Sequence, residues 1–295
     1  MLVTIIGLGL IGGSIGLALR QRERPGWEIV GYSRRHETVA KASSSGAIER
    51  GEINLKDAAK KAEFVIIATP VLTEKEIFSE IALHLPAGCI VTDTASTKVQ
   101  VMKWAKEILP PTVDFIGGHP MAGKETYGIH AAEAELFRGC TYCLTSSEKV
   151  SPKSIDTVMS MIKKLGAIPF FIDAQEHDNL VAGISHLPML LSAALVSLTT
   201  KNPSWSKMSK LAASGYYDLT RLASGSPEVN AHICLSNQES IVNSIDKFSQ
   251  QLERYRRMVA GGDKHLEQAF TDANKARQEW LNNLSAQSRR RQDRK

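Results

Sequence analysis

At 295 residues, with 43% hydrophobic and 23% charged residues, the chain is long for one core and comfortable for two, with the composition of a soluble globular protein. The formal net charge of +5 is concentrated at the end, where residues 285–295 hold five Arg/Lys against one Asp. No aromatic interleaving or second basic stripe accompanies that segment, so it reads as a solvated, frayed tail and a nucleic-acid partner is not expected.

The chain opens with the apolar run Val3–Ile6, then Gly7-Leu8-Gly9-Leu10-Ile11-Gly12. The glycines interrupt the run too early for a signal peptide. A Gly-x-Gly-x-x-Gly turn between a strand and a helix suits a dinucleotide. One glycine makes the turn, one lets backbone approach the diphosphate, and one lets helix and strand pack closely. Gly7, Gly9, Leu10, Ile11 and Gly12 are therefore candidate cofactor contacts, with Thr69 and Pro70 after a later strand.

The second run, Ile29–Tyr32, ends in Ser33-Arg34-Arg35 where NAD sites usually carry a carboxylate for the ribose hydroxyls. Two guanidiniums there suit a 2′-phosphate, so NADP is expected over NAD, with NAD left open. Further runs follow at Phe64–Ala68, Cys89–Thr92, Phe115–Ile116, Tyr142–Leu144 and Ile168–Ile172. Helical patterns lie between most of them, which predicts a mainly parallel, Rossmann-type α/β domain over residues 1–172.

Two segments after these strands carry chemistry. Thr92-Asp93-Thr94-Ala95-Ser96-Thr97-Lys98 follows one run, and Gly117-Gly118-His119-Pro120-Met121-Ala122-Gly123 the next. A histidine held between glycine and proline, outside any helix, can act as a base near neutral pH. Cys140 and Cys143 have the spacing of a redox pair but fall on a predicted strand, where residues three apart face opposite ways. With Cys89 and Cys234 they read as reduced packing residues of a cytoplasmic protein, and no second pair offers a metal site.

After Asp173 the strands stop, and residues 173–284 read as an all-α domain. Leu180, Ile184, Leu187, Leu191, Leu195 and Leu198 form one stripe, and Ile241, Ile245, Phe248, Leu252, Tyr255 and Val259 another. Such stripes suit a homodimer interface, though a monomeric core has the same pattern. Leu180–Leu198 contains His186, Pro188 and three serines, so a membrane span is not expected. Gly261-Gly262 breaks the second helix, and Asp263 stands where it can cap the next.

The His-Pro-Met-Ala-Gly segment, Ser185-His186-Leu187-Pro188 and Ser214–Arg221, together behind the dinucleotide turn, resemble the prephenate/arogenate dehydrogenase family of tyrosine biosynthesis, from Val3 to about Lys247. The resemblance implies NAD(P)-dependent oxidative decarboxylation of a small cyclohexadienol, arogenate or prephenate or both. It implies that His119 is the base and that Ser96 bridges hydroxyl, histidine and nicotinamide. His186 would face the same site, Arg221 would bind a substrate carboxylate, and Glu125 would stand at the entrance. Met189 and Asn230 replace a His and a Trp of some prephenate-preferring members. Asp218 could meet the ammonium of arogenate, which leans the reading toward that substrate or dual use. A β-hydroxyacid-type dehydrogenase is the rival enzyme, but Lys207 and Lys210 lack its asparagine partner. A non-turnover NADP sensor would need the turn but not His119, Ser96 and Arg221 together.

Overall fold

The computed structural model describes residues 1–22 and 26–292. Eight strands form one sheet: β1 (Leu2–Ile6), β2 (Glu28–Tyr32), β3 (Arg50–Glu52), β4 (Phe64–Ile67), β5 (Ile90–Asp93), β6 (Asp114–Pro120), β7 (Thr141–Ser146) and β8 (Ile168–Phe171). Their order is β3-β2-β1-β4-β5-β6-β7-β8. Every pairing is parallel except β6 with β7. The expected α/β domain is present, with one strand the sequence reading lacks. β3 is only Arg50-Gly51-Glu52, an edge strand with no apolar signal to announce it.

The helices between strands are α1 (Leu10–Arg22), α2 (His36–Ser44), α3 (Leu55–Ala59), α4 (Glu74–Ile81), α5 (Val99–Ile108) and α6 (Pro152–Leu165). They cover both faces of the sheet. Strand residues alternate between two apolar layers, with Val3, Ile5, Phe64 and Ile66 in one and Ile6, Val65, Ile67 and Val91 in the other. Burial on both faces explains why β1 and β4 are nearly continuous aliphatic runs.

Beyond the sheet lie α7 (Ala174–Val181), α8 (Leu187–Thr200), α9 (Trp205–Leu211), α10 (Ser214–Thr220) and α11 (Pro227–Ser236), then α12 (Gln238–Ala260) and α13 (Leu266–Gln292). The chain forms two compact units, Met1–Ile241 and Val242–Lys295. In the second unit, Gly261-Gly262 ends α12 as expected, Gly262 taking φ +59°. Tyr255 and Phe270 pack with tilted rings, their centroids 5.7 Å apart. α13 extends through much of the expected tail, and residues 293–295 lie outside the described residues.

Asp173 starts α7 by accepting from Gln175 N (2.8 Å) and Glu176 N (3.1 Å). α7 then passes into α8 through a π-helical turn at Ala182–His186, just before Pro188. Proline has no N–H, so the regular i to i−4 ladder cannot continue there, and the extra residue per turn rotates His186 inward. The span Ala174–Thr200 is long and apolar enough to cross a bilayer. It nevertheless carries the buried, hydrogen-bonded polar groups of His177 and Asp178, which membrane lipid could not satisfy.

Glu74, the first residue of α4, is fully buried, and neither carboxylate oxygen has a hydrogen-bond partner. Burial, with the nearby negative charge of Asp93, pushes its pKa well above the ordinary value and outweighs the attraction of Lys98. The unfolded carboxyl ionises from about pH 4.3 upward while the folded one keeps its proton, so stability falls as pH rises through that window. Glu74→Gln is therefore expected to melt several degrees above the wild type at pH 8, at roughly 2–4 °C per kcal/mol. The advantage should vanish near pH 4 in paired thermal melts.

Candidate active site

The C-terminal ends of β1, β4, β5 and β6 lie along one edge of the sheet, where α/β folds bind ligands. The turn after β1 is built for close approach. Gly7 takes φ +98°, and a Cβ there would lie 2.5 Å from Ala68 O. A Cβ on Gly12 would lie 1.9 Å from Gly7 O. At Gly9 nothing stands within 4 Å of a Cβ position, so its backbone is open to a phosphate at the start of α1.

Two cavities meet at this turn and share Gly9, Ala68, Thr69, Pro70 and Gly128. The outer cavity, about 400 Å³, is lined by Gly7, Ser33, Arg34 and Arg35, with Glu76 and Glu80 from α4. The inner cavity, about 360 Å³, is lined by Leu10, Ile11, Ser96, Glu125 and Asn230 among others. The two cavities and the open backbone at Gly9 suit a dinucleotide, whose diphosphate the shared glycine turn would hold. Among the described residues no cluster of three His, Cys, Asp or Glu side chains could hold a metal ion.

Behind the inner cavity lies a buried polar array. Asp93 ends β5 and accepts from Ala95 N (2.8 Å) and Gly118 N (2.9 Å). It also pairs with the fully buried Lys98, whose ammonium donates to Gly118 O at 2.6 Å. This pair ties the start of α5 to β6 and fixes the backbone just before His119. Asp178 accepts from Lys98 N (2.7 Å) and Val99 N (3.0 Å), which seats α7 on the N-terminus of α5.

His177 Nδ1 lies 2.7 Å from Asp178 Oδ1, and His177 Nε2 lies 2.9 Å from His119 Nδ1. The proton positions follow from the acceptor at one end. A carboxylate can only accept, so His177 carries its hydrogen on Nδ1. Its Nε2 lone pair then accepts from His119 Nδ1–H, which leaves the Nε2 lone pair of His119 free. Burial holds His119 well below the usual histidine pKa, helped by His177, Lys98 and His186. It is a neutral imidazole at neutral pH.

His186 is also buried, and its pKa is lowered to about 4 by desolvation against the opposing pull of Asp178. Asn237 donates its amide to Asp178 O at 2.7 Å and also faces His186 Nδ1 at 3.4 Å. Nδ1 of His186 is thereby the acceptor, so Nε2 carries the hydrogen, and that buried N–H has no protein partner.

The structure brings Gly7, Gly9, Leu10, Ile11, Ser33, Arg34, Arg35, Thr69, Pro70, Ser96 and Glu125 to the cavity walls, with Gly12 packed beneath the turn. His119 and His186 are buried and line neither cavity. Arg221 follows α10 and lines neither cavity itself, but it pairs with Glu125, which lines the inner one. Asp218 is exposed on α10 and lines neither cavity. The sequence reading missed His177, Asp178, Lys98, Asp93 and Asn237 as site residues. A His-Asp pair one turn past a helix cap was a usable signal for two of them.

Comparison with known proteins gives the family. The family model described as the nucleotide-binding domain of prephenate dehydrogenase matches residues 15–169, and the one described as its dimerization domain matches residues 173–272. The chain belongs to the prephenate dehydrogenase family. Prephenate dehydrogenase of Bacillus subtilis is 33% identical over 263 residues, 88% of this chain and 71% of that one. The crystal structure of Synechocystis arogenate dehydrogenase superposes with TM-score 0.79 at 30% identity, over 95% of this chain and 100% of that one. Prephenate dehydrogenase from Aquifex aeolicus, in complex with hydroxyphenyl propionate and NAD+, superposes with TM-score 0.87 at 28% identity, covering 95% and 98%.

Proposed function

We propose that this chain oxidises and decarboxylates arogenate, prephenate or both, with His119 as the base and NADP as the preferred hydride acceptor. The observation that carries the reading is the Asp178–His177–His119 array, which leaves one neutral lone pair at the sheet edge bearing Ser96. A pyridine nucleotide, when bound, supplies the hydride acceptor. His119 Nε2 takes the proton of the ring hydroxyl while the hydrogen on the same carbon departs with its electron pair. The electron pair of the ring–carboxylate bond enters the ring, which becomes aromatic as carbon dioxide leaves. The phenolate then recovers its proton from His119. Ser96 would hold the hydroxyl in line, and the His186 Nε2–H would donate to the substrate. The ammonium of arogenate would find its carboxylate partner in Glu125, which lines the inner cavity, more readily than in the exposed Asp218.

The NADP preference rests on Arg34 and Arg35, which line the outer cavity directly after β2. Turnover of prephenate and arogenate, each with NAD and with NADP, tests the whole reading. Arg34→Ala/Arg35→Ala is expected to lower kcat/KM for NADP by about 10–100-fold, since hydrogen bonds to charged groups contribute ~1.5–3 kcal/mol. The value for NAD should stay within a few-fold, and an equal loss with both cofactors would count against a 2′-phosphate contact.

A homodimer is the proposed assembly. Leu180, Ile184, Leu198 and Leu219 are exposed on the single chain, and a second copy of the same face would cover them. The four free thiols fit the cytoplasm as compartment.

A further inference from the structure

The substrates proposed above carry one carboxylate on the ring carbon opposite the hydroxyl and a second at the end of the side chain on that same carbon. The inner cavity must therefore meet two negative charges at its far end. Lys98 cannot serve, because it is fully buried and committed to Asp93 and the Gly118 carbonyl. His119 and His186 are neutral. Arg221 reaches the cavity only by way of Glu125, so it can match one carboxylate.

Among the described residues that line the inner cavity, Lys124 is the single cationic side chain. Its ammonium pairs with Glu133 Oε1, and Glu133 is itself pinned when its N–H donates to Ser14 Oγ on α1 at 2.8 Å. Ile129, between them in sequence, packs so closely on α1 that a Cβ on Gly13 would lie 2.5 Å from it. The segment bearing Lys124 is thus fastened to the cofactor helix at two points. Lys124 lines the inner cavity with its side chain a third exposed, and its ammonium rests on Glu133, which lines neither cavity, so it can swing to an incoming anion.

We propose that Lys124 is a specificity-determining residue that binds the second carboxylate of the substrate, complementing Arg221. The assignment rests on the reading above. The pairing with Glu133 tempers the lysine charge, which suits a group that orients a dianion without trapping it. A substrate with one carboxylate gains little from Lys124, so the residue selects doubly charged cyclohexadienols over simpler hydroxy acids.

The test begins with wild-type turnover of prephenate and arogenate. Absence of turnover with both would overturn the functional reading and this inference with it. With turnover established, Lys124→Met is expected to raise substrate KM by about 10–100-fold, with kcat within a few-fold. Lys124→Arg should keep most of the affinity. Cofactor Kd, followed by protein fluorescence without substrate, should be unchanged in both variants, and thermal melts should match the wild type. An unchanged substrate KM in Lys124→Met would overturn the inference while leaving the functional reading intact. So would a loss confined to cofactor Kd, which would place the ammonium on the diphosphate instead.

Discussion

Replacing His119 with alanine is expected to lower kcat by ~10²–10⁴-fold, the usual contribution of a positioned proton acceptor. Cofactor Kd should hardly move, because His119 lines neither cavity and holds no part of the glycine turn. The pH profile separates this role from a structural one. Burial pushes the His119 pKa well below 6.5, so the base stays unprotonated across neutral pH. The acid limb of kcat/KM in the wild type should therefore lie well under pH 6.5, with a flat profile from there through neutrality. A limb at 6.5 or above would assign the base to another group. Stability follows the same sign. A histidine whose folded pKa is depressed costs nothing above the unfolded value, and costs progressively more as pH falls toward the folded one. His186, lowered to about 4, adds to this, so wild-type melting temperature should drop as pH falls below ~6.5, the unperturbed histidine value. His119→Ala should soften that drop. Turnover within tenfold of wild type in the variant would remove His119 from the chemistry.

The fold was legible in the sequence wherever a strand is buried on both faces, as in β1 and β4, because burial there demands unbroken aliphatic runs. β3 was not, since an edge strand of Arg-Gly-Glu is selected by its neighbour and not by its own side chains. The glycine turn and His119 were legible because local backbone geometry dictates their residue types. The array behind His119 was not. Asp93, Lys98, His177 and Asp178 look like solvated charges along a chain, and only the packing of α7 against α5 and β6 shows that they satisfy one another in the dark of the core. Arg221 was readable as a carboxylate binder from its motif, but its partner was not. Asp218 is nearer in sequence, while Glu125 is the carboxylate that the folded chain brings to it. The short motifs thus pointed to the glycine turn and to cavity-lining groups such as Ser96 and Glu125, and missed the buried groups that hold His119 in place.

Asp178→Asn tests that buried array most directly. Asp178 accepts three hydrogens, from Lys98 N, Val99 N and His177 Nδ1. An asparagine has one acceptor oxygen. In its better orientation it still serves Lys98 and His177, but its amide nitrogen then faces the Val99 N–H, donor against donor. A buried donor left unpaired costs ~1–3 kcal/mol, and a moderate drop in melting temperature is expected. The larger effect falls on catalysis. Unlike a carboxylate, the amide can also turn its nitrogen toward His177 Nδ1, at the cost of the Lys98 bond, and in that orientation the His177 hydrogen moves to Nε2. The tautomer with hydrogen on Nε2 would turn His119 around, placing a hydrogen where the free lone pair must be. In Ser-His-Asp arrays the corresponding Asp→Asn change costs ~10⁴ in kcat. Acting through one more imidazole, and only in that turned orientation, Asp178→Asn should cost well under that ~10⁴ here, with substrate KM and cofactor Kd within a few-fold. Loss of the negative charge also disfavours a proton on His119, so the acid limb of kcat/KM should move to lower pH. A merely structural Asp178 would lose stability and leave that limb where it was. Asp178→Glu, which keeps the charge but lengthens the reach, should restore the limb even where it restores only part of the rate.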